Sequence, residues 1–187
     1  MPLVPQQRCW GTVLSMREAP NGYFETVVEI PLHSRLKYEI DPDSNELWLS
    51  RPLHTATLYP VNYGFFPRTL ALDGDPLDAL VLFSSALHPG CRVWTRPVGV
   101  LEVEDEAGID MKVLCVVQKD PQTASIHDVT DVAPAALAEI KHFFETYKAL
   151  EDRPQPLVGA WLDQQEALRW IRSAALSFDS LDPARRS

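Results

Sequence analysis

Three carboxylates fall within six residues at Asp73-Gly74-Asp75-Pro76-Leu77-Asp78. Gly74 and Pro76 interrupt any regular element, so the stretch is a bend. The run Leu77-Asp78-Ala79-Leu80-Val81-Leu82-Phe83 that follows reads as a buried strand. The acids therefore sit where the chain turns into the core. Charges so placed repel one another and lose hydration. A hard divalent cation relieves both, because carboxylate oxygens are the donors that magnesium, manganese and calcium prefer. A solvated acidic turn explains the same residues, since Asp, Gly and Pro are ordinary turn formers. An EF-hand loop starting at Asp73 is excluded, because Asp78 and Ser84 stand where it needs Gly and Glu. An aspartyl-nucleophile phosphatase is excluded too, because its acids would close a strand, whereas here the strand follows them.

Further charged groups recur along the chain. Asp105 and Asp110 flank a turn and can face the same way, and Lys112 shares a strand face with Asp110. Lys37 and Glu39, two apart in a strand, share another face. Each has a plain explanation as an exposed pair. Glu29 is less easily dismissed, because an unpaired carboxylate in an apolar strand is expensive; Arg51 is a candidate structural partner for it. Tyr59, Tyr63 and Tyr147 can be core aromatics.

The elements that must position these groups follow from pattern. Tyr23 to Ile30 is strand-like. Leu36 to Ile40 and Glu46 to Ser50 form a hairpin around residues 41–45. Residues 51–70 read as an aromatic connection, denied regular structure by three prolines and a glycine. Cys91 to Val103 is an extended strand with a bulge at Pro97 and Gly99, and Asp110 to Val117 is another. Such a run predicts a small antiparallel barrel or sandwich. Pro134 to Tyr147 is a helix with Leu137, Ile140, Phe144 and Tyr147 on one side. Residues 151–159 read as a Pro-rich link. Asp163 to Ala175 is a second helix, capped by Asp163 with Glu166 three residues on, its apolar side formed by Leu168, Ile171 and Ala175. Residues 1–22 are read as an irregular arm containing Trp10, and the tail at Ala184–Ser187 as frayed.

The chain has 187 residues, 45% of them apolar, enough for one domain with a core spanning residues 1–187. Its formal charge of −9 argues against binding nucleic acid through a basic surface. An anionic substrate stays admissible if bound metal reverses the local sign. Cys9, Cys91 and Cys115 make neither a disulfide framework nor a zinc pattern, which points to a reducing cytoplasm. No signal peptide or membrane span is evident.

Taken in order, VVEIP (27–31), LKYEID (36–41), YPVNYGF (59–65), LDGDPLDALV (72–81), RPVGVLEVEDEAGIDMKV (96–113) and HFFETYKALE (142–151) resemble the soluble, magnesium-dependent inorganic pyrophosphatases of the oligonucleotide-barrel class, most like the short bacterial members. The resemblance implies an α+β, mainly β fold: a five-stranded, OB-like closed barrel with two C-terminal helices packed on it. It implies hydrolysis of inorganic pyrophosphate by a metal-activated water. Asp73, Asp75, Asp78, Asp105 and Asp110 match the metal-binding acids. Glu29 and Glu39 match acids that hold metal-bound water or neighbouring side chains. Lys37, Arg51, Lys112, Tyr147 and Lys148 match groups that grip phosphate, and Tyr59 and Tyr63 match tyrosines that orient the acids and the leaving phosphate. Several Mg2+ ions per site are implied, with Mn2+ or other divalent ions as substitutes, and a homo-oligomer, by resemblance a hexamer. On this reading Asp75 orients the nucleophile and accepts its proton, with Glu29 and Tyr63 close to the chemistry.

Departures lie outside this set. Residues 1–24 match nothing, the link at residues 152–157 is less basic than expected, Phe65-Phe66-Pro67-Arg68 differs from the usual run, and Ile109 stands where many members carry an acid. They bear on rate, metal preference and assembly, not on reaction type.

Overall fold

The computed structural model describes residues 16–19, 21–41, 44–106 and 108–181. The expectations for Cys9, Trp10, the first fifteen residues and the tail lie outside them. In chain order the strands are β1 (Glu18–Ala19), β2 (Tyr23–Ile30), β3 (Leu36–Ile40), β4 (Leu47–Pro52), β5 (Asn62–Phe65), β6 (Asp78–Leu82), β7 (Arg92–Asp105), β8 (Gly108–Ile109), β9 (Lys112–Val117) and β10 (Leu157–Leu162). The helices are α1 (Pro134–Thr146) and α2 (Gln164–Leu181), with a 3-10 turn at Val129–Asp131.

Five strands close a ring in the order β2-β5-β6-β9-β7, with β7 pairing back onto β2. Closure removes the exposed edges an open sheet would carry. β1 and β10 extend the ring from β2 and β7, and β3–β4 is a separate two-stranded ladder. The part of the predicted arm at residues 18–19 is thus a short strand.

Three sequence expectations change. The ring is not wholly antiparallel, because β6 and β9 run parallel. Residues 51–70 are not all irregular: β5 lies among them and joins β2 to β6. Residues 157–159, read as link, begin β10, which pairs with β7. Pro97 and Gly99 do mark a register shift in β7, as expected.

The uninterrupted apolar run in β6 has a simple cause. Alternate residues of a strand face opposite sides, and here both sides are covered. Leu80 joins a core with Leu114, Val116 and, from α1, Ile140, Phe143 and Phe144. Ala79 and Val81 join a second core with Val113, Cys115 and, from α2, Ala167, Ile171 and Ala174. The buried stripe of α2 is therefore Ala167, Ile171, Ala174 and Phe178, one position off the predicted Leu168 and Ala175. Asp163 caps α2, its Oδ1 accepting from the Glu166 amide at 3.0 Å. The helix continues six residues past Ala175, to Leu181.

β5 approaches β2 so closely that only glycine fits at its centre. A Cβ on Gly64 would lie 1.9 Å from the Val27 carbonyl oxygen and 2.9 Å from the Val28 Cα. Both obstacles are backbone and cannot swing away. Gly64→Ala is expected to destabilise the protein by about 3 kcal/mol, read as a lower urea midpoint. An unchanged midpoint would show that the ladder can open there.

Candidate active site

The register of the parallel pair sets the floor of the site. Asp78, first residue of β6, is paired with Lys112, first residue of β9. Both side chains lie on the Leu80/Leu114 face, at the end of the pair where the apolar runs begin. The Lys112 Nζ donates to Asp78 Oδ2 at 2.6 Å, to Asp110 Oδ2 at 2.7 Å and to the Tyr63 hydroxyl at 3.3 Å. Tyr63, from β5, donates its hydroxyl to Asp78 Oδ2. The rings of Tyr63 and Phe144 lie 5.5 and 5.2 Å from the ammonium, within cation–π range. Asp110 precedes β9 rather than lying within it, yet meets Lys112 as expected.

Two bulges aim further groups inward. Val28 pairs with Gly64 and Ile30 with Tyr63, so Glu29 is the extra residue of a bulge in β2. Its carboxylate accepts from the Ile40 amide at 2.8 Å. In the β3–β4 ladder Lys37 pairs with Arg51 and Tyr38 with Leu49, leaving Ser50 extra. Lys37 meets Glu39 at 2.7 Å. Arg51 pairs with Glu151, not with Glu29 as the sequence allowed. Lys148, just past α1, donates to Asp105 Oδ2 at 3.1 Å. Asp75 donates its amide to Asp73 Oδ1 at 3.1 Å and leaves its own carboxylate exposed on the bend.

The result is one cleft of about 770 Å3. It is lined by Glu29, Lys37, Glu39, Arg51, Tyr59, Tyr63, Asp73, Asp75, Asp78, Asp105, Asp110, Lys112, Tyr147 and Lys148. Every residue singled out from sequence is thus in one place, delivered by β2 to β7, β9 and the connections around them. Trp48, Arg68, Arg92 and Arg153 also line it and were not foreseen. Nor was Glu106, which meets Lys148 and Arg153 at 3.9 and 3.4 Å; its place beside Asp105 was the available signal.

Crowded acids shape the electrostatics. Burial pushes the Glu29 carboxyl from 4.5 up to about 7, against the pull of the Ile40 amide. Burial likewise raises Asp73, with the charges of Asp110 and Asp75 adding to it. Asp78 is raised by burial and by Asp110 despite Lys112. Burial alone would lower Lys112, but Asp78 and Asp110 outweigh it and hold the ammonium charged. One cation shared by two carboxylates reconciles these directions: the lysine keeps its proton while Asp78 still feels the charge of Asp110. For Glu39, Lys37 outweighs burial and the carboxyl is lowered.

These acids fit a hard divalent cation in kind. Asp78 and Asp110 keep 20% and 17% of their side chains accessible, so an ion can reach them. Among the described residues no three His, Cys, Asp or Glu side chains are gathered closely enough to hold an ion as they stand. Lysine ammoniums take part of that role, and a bound ion would share these acids with Lys112 and Lys148.

A family model for inorganic pyrophosphatase matches residues 26–179. The chain belongs to the inorganic pyrophosphatase family. The pyrophosphatase of Leifsonia xyli subsp. xyli is 43% identical over 157 residues, 84% of this chain and 96% of its own. That of Methanosarcina mazei is 47% identical over 148 residues, 79% and 87% of the two chains. The crystal structure of the Thermus thermophilus inorganic pyrophosphatase superposes with a TM-score of 0.85 at 43% identity, covering 89% of this chain and 97% of that one. Membership in the pyrophosphatase family makes this chain an enzyme of pyrophosphate hydrolysis that depends on divalent metal. Among the described residues no helix is long and apolar enough to cross a membrane.

Glu29 gives the pyrophosphatase cleft a measurable signature without metal. Its folded pKa lies above its unfolded value, so between about pH 4.5 and 7 the folded state binds more protons. Stability then falls as pH rises through that window, by on the order of 3 kcal/mol from this group. Asp73 and Asp78 add in the same direction. Urea midpoints from pH 4.5 to 8 in chelator are expected to decline, and Glu29→Gln to flatten the slope. A Gln variant with the full slope would remove Glu29 from the account.

Proposed function

We propose that the cleft hydrolyses inorganic pyrophosphate by direct attack of water, with Asp73, Asp75, Asp78, Asp105 and Asp110 holding several Mg2+ ions and with Mn2+ or other divalent ions able to substitute. The observation that carries this is the convergence of those acids with Lys37, Arg51, Lys112 and Lys148 around one cavity. When bound, the ions supply positive charge to the substrate oxygens and acidify the attacking water. Pyrophosphate is a dense anion, and attack on one phosphorus sends charge to the leaving phosphate, so catalysis is positioning and charge stabilisation. Asp75, exposed on the bend, orients the water and takes its proton. The three lysines and Arg51 neutralise phosphate oxygens, Arg51 with a fork suited to two of them. Tyr147 adds a hydroxyl to that grip. Tyr63 holds Asp78 in place, Tyr59 supports Tyr63 with ring centroids 5.7 Å apart, and Glu29 and Glu39 fix water and neighbouring side chains. No covalent enzyme intermediate is required.

A nucleoside triphosphate is the rival substrate, because Trp48 at the rim is 60% exposed and offers a base a surface to stack on. Phosphate release from pyrophosphate and from ATP, each with magnesium, separates the two. A strong preference for pyrophosphate is expected, and a preference for ATP would overturn the proposal. We further read the chain as a single-domain cytoplasmic enzyme that binds no nucleic acid, its formal charge being −9, with Cys91 and Cys115 free as thiols. We also read it as a homo-oligomer, a hexamer by resemblance to the short bacterial members; the exposed Leu47 and Leu49 of β4 are apolar surface that self-association could cover, and light scattering tests it.

A further inference from the structure

Lys37 and Arg51 are direct cross-strand partners in the β3–β4 ladder, and like charges so placed repel. Each cation has its own acid. Lys37 uses Glu39, two residues along and half-exposed. Arg51 uses Glu151, a hundred residues away in the turn after α1. The Glu151 side chain is only 7% exposed, against 26% for Arg51. The contact joins Arg51 Nη1 to Glu151 Oε1; both atoms are buried, and neither makes a hydrogen bond elsewhere. A carboxylate so desolvated is tolerated only with a charged partner.

The turn that carries Glu151 is itself fixed. The Glu151 amide donates to the Lys148 carbonyl at 2.8 Å, the Lys148 ammonium is held by Asp105, and the Thr55 hydroxyl reaches the Tyr147 carbonyl at 3.4 Å. Glu151 does not line the cleft, whereas Arg51 does. We infer that Glu151 is a positioning residue: it ties one edge of the Arg51 guanidinium to the α1 side of the cleft and leaves the remaining N–H groups to an anion. A guanidinium tethered in this way loses less freedom when it binds phosphate. The inference rests on the reading of Arg51 as a phosphate grip.

A double-mutant cycle on the magnesium-loaded enzyme tests it, with Glu151→Gln, Arg51→Ala and the pair assayed for KM and kcat on pyrophosphate. Arg51→Ala is expected to raise KM by about 10- to 100-fold, the range for losing a charge-assisted hydrogen bond. Glu151→Gln is expected to raise KM ~10-fold with kcat within about threefold, and to add nothing once Arg51 is Ala. Glu151→Asp keeps the charge with a shorter reach, guards against a variant that fails to fold, and is expected to show a smaller rise. Wild-type KM in Glu151→Gln and Glu151→Asp with only a lower melting temperature would overturn the inference, as would a Glu151→Gln effect that persists beside Arg51→Ala. Wild-type KM in Arg51→Ala would instead identify the assignment of Arg51 as the failure, and the inference would fall with it.

Discussion

Asp75→Asn is expected to lower kcat for pyrophosphate by ~10²–10⁴-fold, the range for removing a general base, while the protein stays folded. The fold is spared because Asp75 is exposed on the bend and its side chain carries no buried charge pair among the described residues. The bonds that shape the bend, from the Asp75 amide to the Asp73 carboxylate and from the Ala71 amide to the Asp75 carbonyl, use only the backbone of Asp75, and the substitution leaves them intact. Asn keeps the volume but cannot accept a proton, so the loss should appear in kcat more than in KM. Kinetics beside a urea melt check both halves. If instead the variant kept near-wild-type turnover, the nucleophile would have another base, and Glu29 would be the next candidate. If it lost stability in step with activity, the acids would be holding a structural ion.

Lys112→Met carries the second large effect, this time on stability. Lys112 is 2% exposed and its ammonium lies against Asp78 and Asp110. Met fills much of the space but leaves two carboxylates facing each other with no cation between them. Removing one partner of a buried ion pair costs about 3–5 kcal/mol, and that loss is expected in metal-free protein at neutral pH. Two conditions should return part of it. Acid protonates Asp78, whose carboxyl is already raised by burial. Millimolar magnesium should stabilise the variant more than the wild type, since a ligand that binds only the folded state adds stability in proportion to its affinity. Melting curves in chelator and in magnesium decide it. A variant as stable as wild type without metal would mean that the acids do not need a cation there, which undercuts the electrostatic account of the cleft.

How much of this was legible in the sequence follows from range. The acidic bend, β6, the β3–β4 hairpin, α1 and the Asp163 cap were readable because each is specified by neighbours along the chain. β5 was not, because Pro60, Gly64 and Pro67 look like coil, and the reason for Gly64 is the backbone of β2, some thirty-five residues earlier. β10 was hidden by Pro154 and Pro156 just before it and depends on pairing with β7. The parallel match of β6 with β9 is equally non-local, yet it is what sets Asp78 beside Lys112. α2 outran its predicted end because Phe178 packs down, while the exposed Leu176 obscured the stripe. The line of candidate acids, lysines and tyrosines came from matching motifs in order, and the structure brings them to one cavity. Glu151 escaped because a buried glutamate after a helix carries no local sign that its partner is Arg51.

The central claim is that the assembled acids work only through divalent cations they capture. Phosphate release from pyrophosphate, followed first with magnesium, then with excess chelator, then with magnesium restored, tests it most directly. Rapid release, near-complete loss and full recovery on one protein sample are expected. Release that continues undiminished in chelator, or none with any divalent metal, would contradict it.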